Sequence, residues 1–147
     1  MSAEMLFRVV SVAIVPGWLL LILAPRTRIT ERVVLSGYYS LVFAALYLAL
    51  IVAFYPGAEG GFGSLAGVSR FFANPWLLLA GWIHYLAFDL FVGAWEARDA
   101  AGRGVPHVLT VPCLILTVFF GPIGLLAYYG VRALASRHRG VSTNAAR

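Results

Sequence analysis

Apolar residues in this chain fall into four long blocks, separated by short clusters rich in arginine, glycine and proline. Met5–Ala24 is interrupted only by Arg8, Val33–Tyr55 carries no charge, and Trp76–Trp95 and Val108–Val131 follow. Each block has roughly the 20 residues that cross ~30 Å of hydrocarbon at 1.5 Å per residue. The pattern predicts an all-α integral membrane protein, one transmembrane domain over 1–147. Its four transmembrane helices, at about 5–24, 33–55, 76–96 and 108–132, would form an antiparallel bundle. The first block ends in LAPRTR with no small-residue cleavage site, so it reads as a retained helix, kinked at Pro16–Gly17.

The connections are short. Pro25–Arg32 is a basic turn with Thr30 placed to cap the second helix. Pro56–Pro75 opens on PGAEGGFG, then sets Leu65, Val68, Phe71 and Phe72 on one face of a short interfacial helix. Ala97–His107 is tight enough to make the third and fourth helices antiparallel neighbours, and 138–147 reads as a disordered tail. Four crossings put both termini on one side, with six arginines there against five on the other. The ASRHRG cluster tilts the termini toward the cytoplasm.

Composition agrees with the pattern. The chain of 147 residues is 61% hydrophobic and 12% charged, with mean hydropathy +0.87, whereas soluble domains are about 45–50% apolar and about 25% charged. The net charge of +5 comes from 11 basic residues, all arginine, spread over the ends of the apolar blocks. That distribution suits interfacial anchors and excludes a nucleic-acid face. Cys113 has no cysteine partner and lies in an apolar run, as a packed small hydrophobe would.

The third block breaks the rule that spans avoid charge. It carries His84 and Asp89 in its interior. A mid-span aspartate costs ~2.5–3.5 kcal/mol on insertion scales, so it faces protein or a wet cavity and is kept for a purpose. At about 100° per residue, His84, Asp99, Glu96 and Asp89 fall within one arc of about 140°. His84 and Asp89, about 7.5 Å apart in rise, can flank a substrate; they are the candidate catalytic pair. Trp82, Tyr85, Phe88 and Trp95 on the same helix, with Gly121 and Pro122 in the fourth, are candidate substrate contacts. Gly121–Pro122 interrupts the helical hydrogen bonds in mid-span, where a cavity or a neighbouring helix must take up the freed groups. Glu96, Asp99 and His107 could converge on a divalent metal, but their spacing lacks metal-site specificity, so no cofactor is expected. Solvated ion pairs among Glu96, Arg98, Asp99 and Arg103 are the plainer reading of that end.

WIHYLAFDLF (Trp82–Phe91), followed by Asp99, His107 and PCLILTVFFGPIGLL (Pro112–Leu126), resembles the plant abscisic-acid-deficiency family of membrane proteins that act as neoxanthin synthases, and its bacterial relatives. Matching positions are Trp82, His84, Leu86, Ala87, Asp89, Leu90, Phe91, Asp99, His107, Cys113, Pro122 and Gly124, while Glu96 departs from the plant pattern. The resemblance covers 75–132 well and the first two helices by topology. It implies an isomerisation without redox change, in which an epoxide opens as a proton leaves the adjacent polyene carbon. A neutral Asp89 would be the acid and His84 the base. The expectation is thus a multi-pass protein of a bacterial inner membrane, acting on a carotenoid or other isoprenoid lipid, with no nucleic-acid partner and a homo-oligomer open to it. Two other functions fit: a non-catalytic carotenoid- or lipid-binding assembly protein, and a small proton-coupled transporter using His84 and Asp89 as a relay.

Overall fold

A computed structural model describes the backbone of residues 2–144 and the side chains of residues 2–135. Among the described residues the fold is all helical: α1 (Ala3–Ala13), α2 (Val15–Leu23), a π-helical turn (Thr30–Leu35), α3 (Tyr38–Phe54), α4 (Leu65–Phe72), α5 (Pro75–Arg103), α6 (His107–Phe120) and α7 (Pro122–Asn144). Three stretches are long and apolar enough to cross a membrane: Ala3–Leu23, Tyr38–Gly57 and Pro75–Arg103.

The first is α1 and α2 in series, divided at Ile14 just before Pro16, which has no N–H to continue the helical ladder. The second helix starts later than its hydropathy suggests. Thr30 does not cap it; its hydroxyl donates to the Ala24 carbonyl at 2.6 Å, and Gly37, at φ 88, breaks the chain before Tyr38. Apolarity cannot register such a break, because Gly37 lies inside an uncharged run. The interfacial segment does form a helix, with the Ser64 hydroxyl accepting from Gly67 N at 3.0 Å. Only Phe71 of its expected apolar face is buried, and Leu65 is exposed.

α5 is the axis of the molecule and touches all six other helices. Asn74 caps its start and Gly104, in the left-handed conformation, ends it after 29 residues, seven past the expected Glu96. It is buried on two sides, with Leu77, Ala80, Ile83, Leu90 and Ala94 all at 0% exposure. Between apolar helices in lipid, close packing replaces the hydrophobic effect as the cohesive force, so small residues matter at the crossings. At Gly93 an added Cβ would lie 2.6 Å from the Trp18 ring.

The fourth apolar block is not one helix. α6 leaves the C-terminal end of α5 and runs back along it to Gly121, where φ 43 and ψ −96 reverse the chain. α7 then returns against α6: Gly124 lies on the backbone of Thr117, and Tyr128 packs with Cys113 and Ala100. A glycine φ in that region is cheap; any L side chain there is strained. The result is a helical hairpin whose tip meets the middle of α5. Consequently α1 begins beside Pro75, while α7 leads away past Asp99, so the two lie at opposite ends of α5. The block expected as one helix over 108–132 is therefore two helices, broken at Gly121. The helix expected to stop near 132 continues to Asn144; the tail expected at 138–147 overlaps its last turns, and residues 145–147 lie outside the described residues.

Candidate functional site

Asp89 is the central residue of α5, 14 residues from Pro75 and 14 from Arg103. The hairpin tip arrives at that level: an ideal Cβ on Gly121 would stand 2.9 Å from Asp89 Oδ1. Only a glycine permits this approach, both for its φ and for the space. The carboxyl therefore lies at the N-terminal end of α7, where the helix dipole favours negative charge, although Pro122 has no N–H and Gly124 and Leu125 donate theirs to the Gly121 carbonyl. Asp89 Oδ2 is buried and has no hydrogen-bond partner among the described residues. Tyr85 lies one turn away on the same helix. It donates to the Val118 carbonyl at 3.1 Å and stands within electrostatic reach of Asp89. A mid-span carboxyl with an unpaired oxygen is costly unless a ligand or water supplies a donor.

His84 is not part of this centre. It is exposed, and its ring packs between Tyr47 and Phe88, with centroids at 5.5 and 4.6 Å. The expectation that His84 and Asp89 face the interior together fails. About 140° separates them around α5, and His84 is exposed while Asp89 is partly buried.

The candidate substrate contacts divide into separate places. Trp82 and Tyr85 line a groove of about 760 Å³ with Ala3, Glu4, Phe7, Phe72, Pro75, Leu78, Leu79 and Gly81. Trp82 stacks on Tyr85 and tilts against Phe7, both at 5.4 Å, and its indole N–H donates to Ser11 Oγ at 3.0 Å. Trp95 borders a smaller cleft of about 260 Å³ with Phe91, Leu125 and Tyr129. Phe88 stays with His84 on the exposed face, Gly121 is at the hairpin tip, and Pro122 is exposed beside it.

The three residues considered for a metal go to three different partners. Glu96 is fully buried and takes the Thr117 hydroxyl at 3.0 and 3.2 Å; that hydroxyl also lies 3.0 Å from the Cys113 carbonyl. Asp99 holds Arg103 at 2.8 Å, Tyr128 at 2.7 Å and Arg132 at 3.4 Å. The His107 ring reaches the Ile22 carbonyl at 3.0 Å. Among the described residues no group of three His, Cys, Asp or Glu side chains converges. The ion pair expected between Asp99 and Arg103 is present, whereas Arg98 binds the Leu35 carbonyl and so ties α5 to the π-helical turn.

Sequence reasoning missed Thr117, Tyr128 and Arg132 as partners of Glu96 and Asp99. It also missed Phe7, Phe72 and Leu78 as groove walls. The first set had a signal, since Thr117 is a polar residue inside an apolar run. The second had none, because apolar residues look alike until the helices are placed.

A family model described as ABA DEFICIENT 4-like matches residues 5–128. The chain is 25% identical over 141 residues to Protein ABA DEFICIENT 4, chloroplastic, of Arabidopsis thaliana, covering 90% of this chain and 62% of that protein. It thus spans under two thirds of that relative's length. No solved structure matches the chain.

Proposed function

The chain belongs to the ABA DEFICIENT 4-like family, and from that premise we propose that it is a multi-pass membrane protein that isomerises an epoxy-carotenoid or related isoprenoid by acid–base chemistry. α1–α2, α3 and α5 cross the membrane, and the α6–α7 hairpin enters from the Arg103 side and stops halfway. The observation that carries the reading is the meeting of Asp89, Tyr85 and the hairpin tip at the centre of α5, with one carboxyl oxygen left unpaired.

One carboxyl can perform the whole isomerisation in two steps. The Asp89 carboxylic acid gives its proton to the epoxide oxygen, the C–O bond breaks, and positive charge spreads along the polyene. The resulting carboxylate then takes the proton from the adjacent chain carbon, whose C–H electrons form the new double bond. Atoms balance, nothing is oxidised or reduced, and Asp89 ends as it began. The start of α7 favours the carboxylate present between the steps, which is the charge that develops in the reaction. His84, on another face, is not needed as the base.

The test uses Asp89→Asn, which keeps shape and most hydrogen bonding but cannot transfer a proton. The purified variant, assayed with an epoxy-carotenoid, should lose ~10²–10⁴-fold in turnover while its thermal stability is unchanged or raised. Full turnover by a well-folded Asp89→Asn protein would end the acid assignment. Saturable carotenoid binding without turnover by the well-folded parent protein would favour instead the carotenoid-binding alternative, which the apolar groove beside Tyr85 supports.

A further inference from the structure

The α6–α7 hairpin fills only the half of the molecule near Arg103; toward Pro75 the space beside α5 is bounded by α1 and α4 and holds the 760 Å³ groove. That volume is within the range of sites that bury most of a small ligand, about 300–1,000 Å³. Its walls are apolar and aromatic, and its polar groups sit at two ends. At the mouth is Glu4, paired to Arg8 at 3.0 Å on the first turns of α1. At the inner end are the Trp82 indole, held by Ser11, and the Tyr85 hydroxyl beside Asp89. A polar metabolite would find no donors or acceptors along the length. A thin conjugated chain would find the Phe7, Trp82 and Tyr85 rings in sequence, 5.4 Å apart from centroid to centroid, which is the surface on which π-systems stack.

We propose that this groove is the binding site for a conjugated isoprenoid, which enters from the half of the bilayer the hairpin does not reach and places its oxygen-bearing end at Tyr85 and Asp89. The inference rests on the reading of Asp89 as the reacting group, but it specifies the groove, the route and the orientation. α5 rises about 15 Å from Pro75 to Tyr85, so a chain lying along it reaches the centre with its far end still in the lipid.

The probe is all-trans-retinol, a polyene with one hydroxyl, added to the protein in nanodiscs. An achiral polyene dissolved in lipid gives no circular dichroism, whereas one held in a protein groove gives an induced band. The wild-type protein should show a saturable induced band that hexadecanol, a saturated alcohol, does not displace. Leu78→Trp and Gly81→Leu, which fill the groove, should each weaken retinol binding about tenfold or more. Leu48→Trp, on the exposed face of α3, should leave it intact, and Asp89→Asn should keep the band while losing turnover.

No saturable band in a wild-type protein that turns over substrate would overturn the groove and leave the isomerase reading standing. A band retained by both filling variants, or displaced by hexadecanol, would also overturn it. A band abolished by the filling variants, in a protein whose Asp89→Asn form retains full turnover, would uphold the groove and remove the acid assignment.

Discussion

Asp89 and Glu96 are seven residues apart on nearly the same line of α5, yet their surroundings give them different work. Asp89 has an unpaired oxygen at the hairpin tip and a hydroxyl beside it. Glu96 is sealed at 0% exposure and bound to Thr117, so it fastens α6 to α5. Among the described residues no arginine pairs with it, and a buried lone carboxylate is expensive. Glu96→Gln, which keeps an acceptor for the Thr117 hydroxyl and removes the charge, should therefore fold as well as the parent or better. Glu96→Ala leaves the Thr117 hydroxyl and a cavity behind, and should destabilise by about 1–3 kcal/mol. Thermal unfolding of the two variants in the same nanodisc checks this, and equal losses in both would show that the hydrogen bond is not what Glu96 supplies.

At the scale of elements, the hairpin depends on two glycines for two reasons. Gly121 supplies the positive φ that reverses the chain. Gly124 supplies room: a Cβ there would lie 2.1 Å from Thr117 Oγ1 and 2.2 Å from Thr117 N, and backbone cannot swing aside. Gly124→Ala should push α7 off α6 and lower stability by about 1–3 kcal/mol. Because the tip would move with it, turnover should fall further than the lost folded fraction explains. Gly130, with nothing within 4 Å of its Cβ position, is the control on the same helix; Gly130→Ala should be neutral or slightly stabilising. A Gly124→Ala protein with parental stability would mean the two helices are not packed backbone to backbone.

The whole molecule carries its charge unevenly once the hairpin is recognised. Among the residues whose side chains are described, Arg26, Arg28, Arg32, Arg98, Arg103 and Arg132 lie toward the Arg103 end of α5, while Arg8 and Arg70 lie toward the Pro75 end. Among those side chains the bias is six against two, so the positive-inside rule predicts that the Arg103 end faces the cytoplasm. Cysteine labelling in intact cells, on a Cys113→Ala background, tests this. Gly63→Cys should react with an impermeant maleimide from outside, whereas Gly102→Cys and Ala133→Cys should react only after permeabilisation. If Ala133→Cys labelled with Gly63→Cys, the last helices would cross completely and the half-depth hairpin would be wrong.

Hydropathy and composition sufficed for the class of the protein, three of its long apolar helices and the short helix before Pro75, because each is a property of one stretch measured against lipid. They could not decide whether Val108–Val131 crosses or turns back, since an apolar run with glycine in the middle satisfies the bilayer either way. Nor could a helical wheel separate His84 from Asp89, for an arc of polar residues says only that they share a side. Which part of that side is covered depends on where Gly121, Thr117 and Trp18 come to rest. Those contacts join residues up to 75 positions apart, as Trp18 and Gly93 are, and they exist only through packing. The sequence by itself determined a membrane-embedded bundle with a costly carboxyl at its centre; only the tertiary structure decided what stands beside that carboxyl, because local pattern encodes solvent and not neighbours.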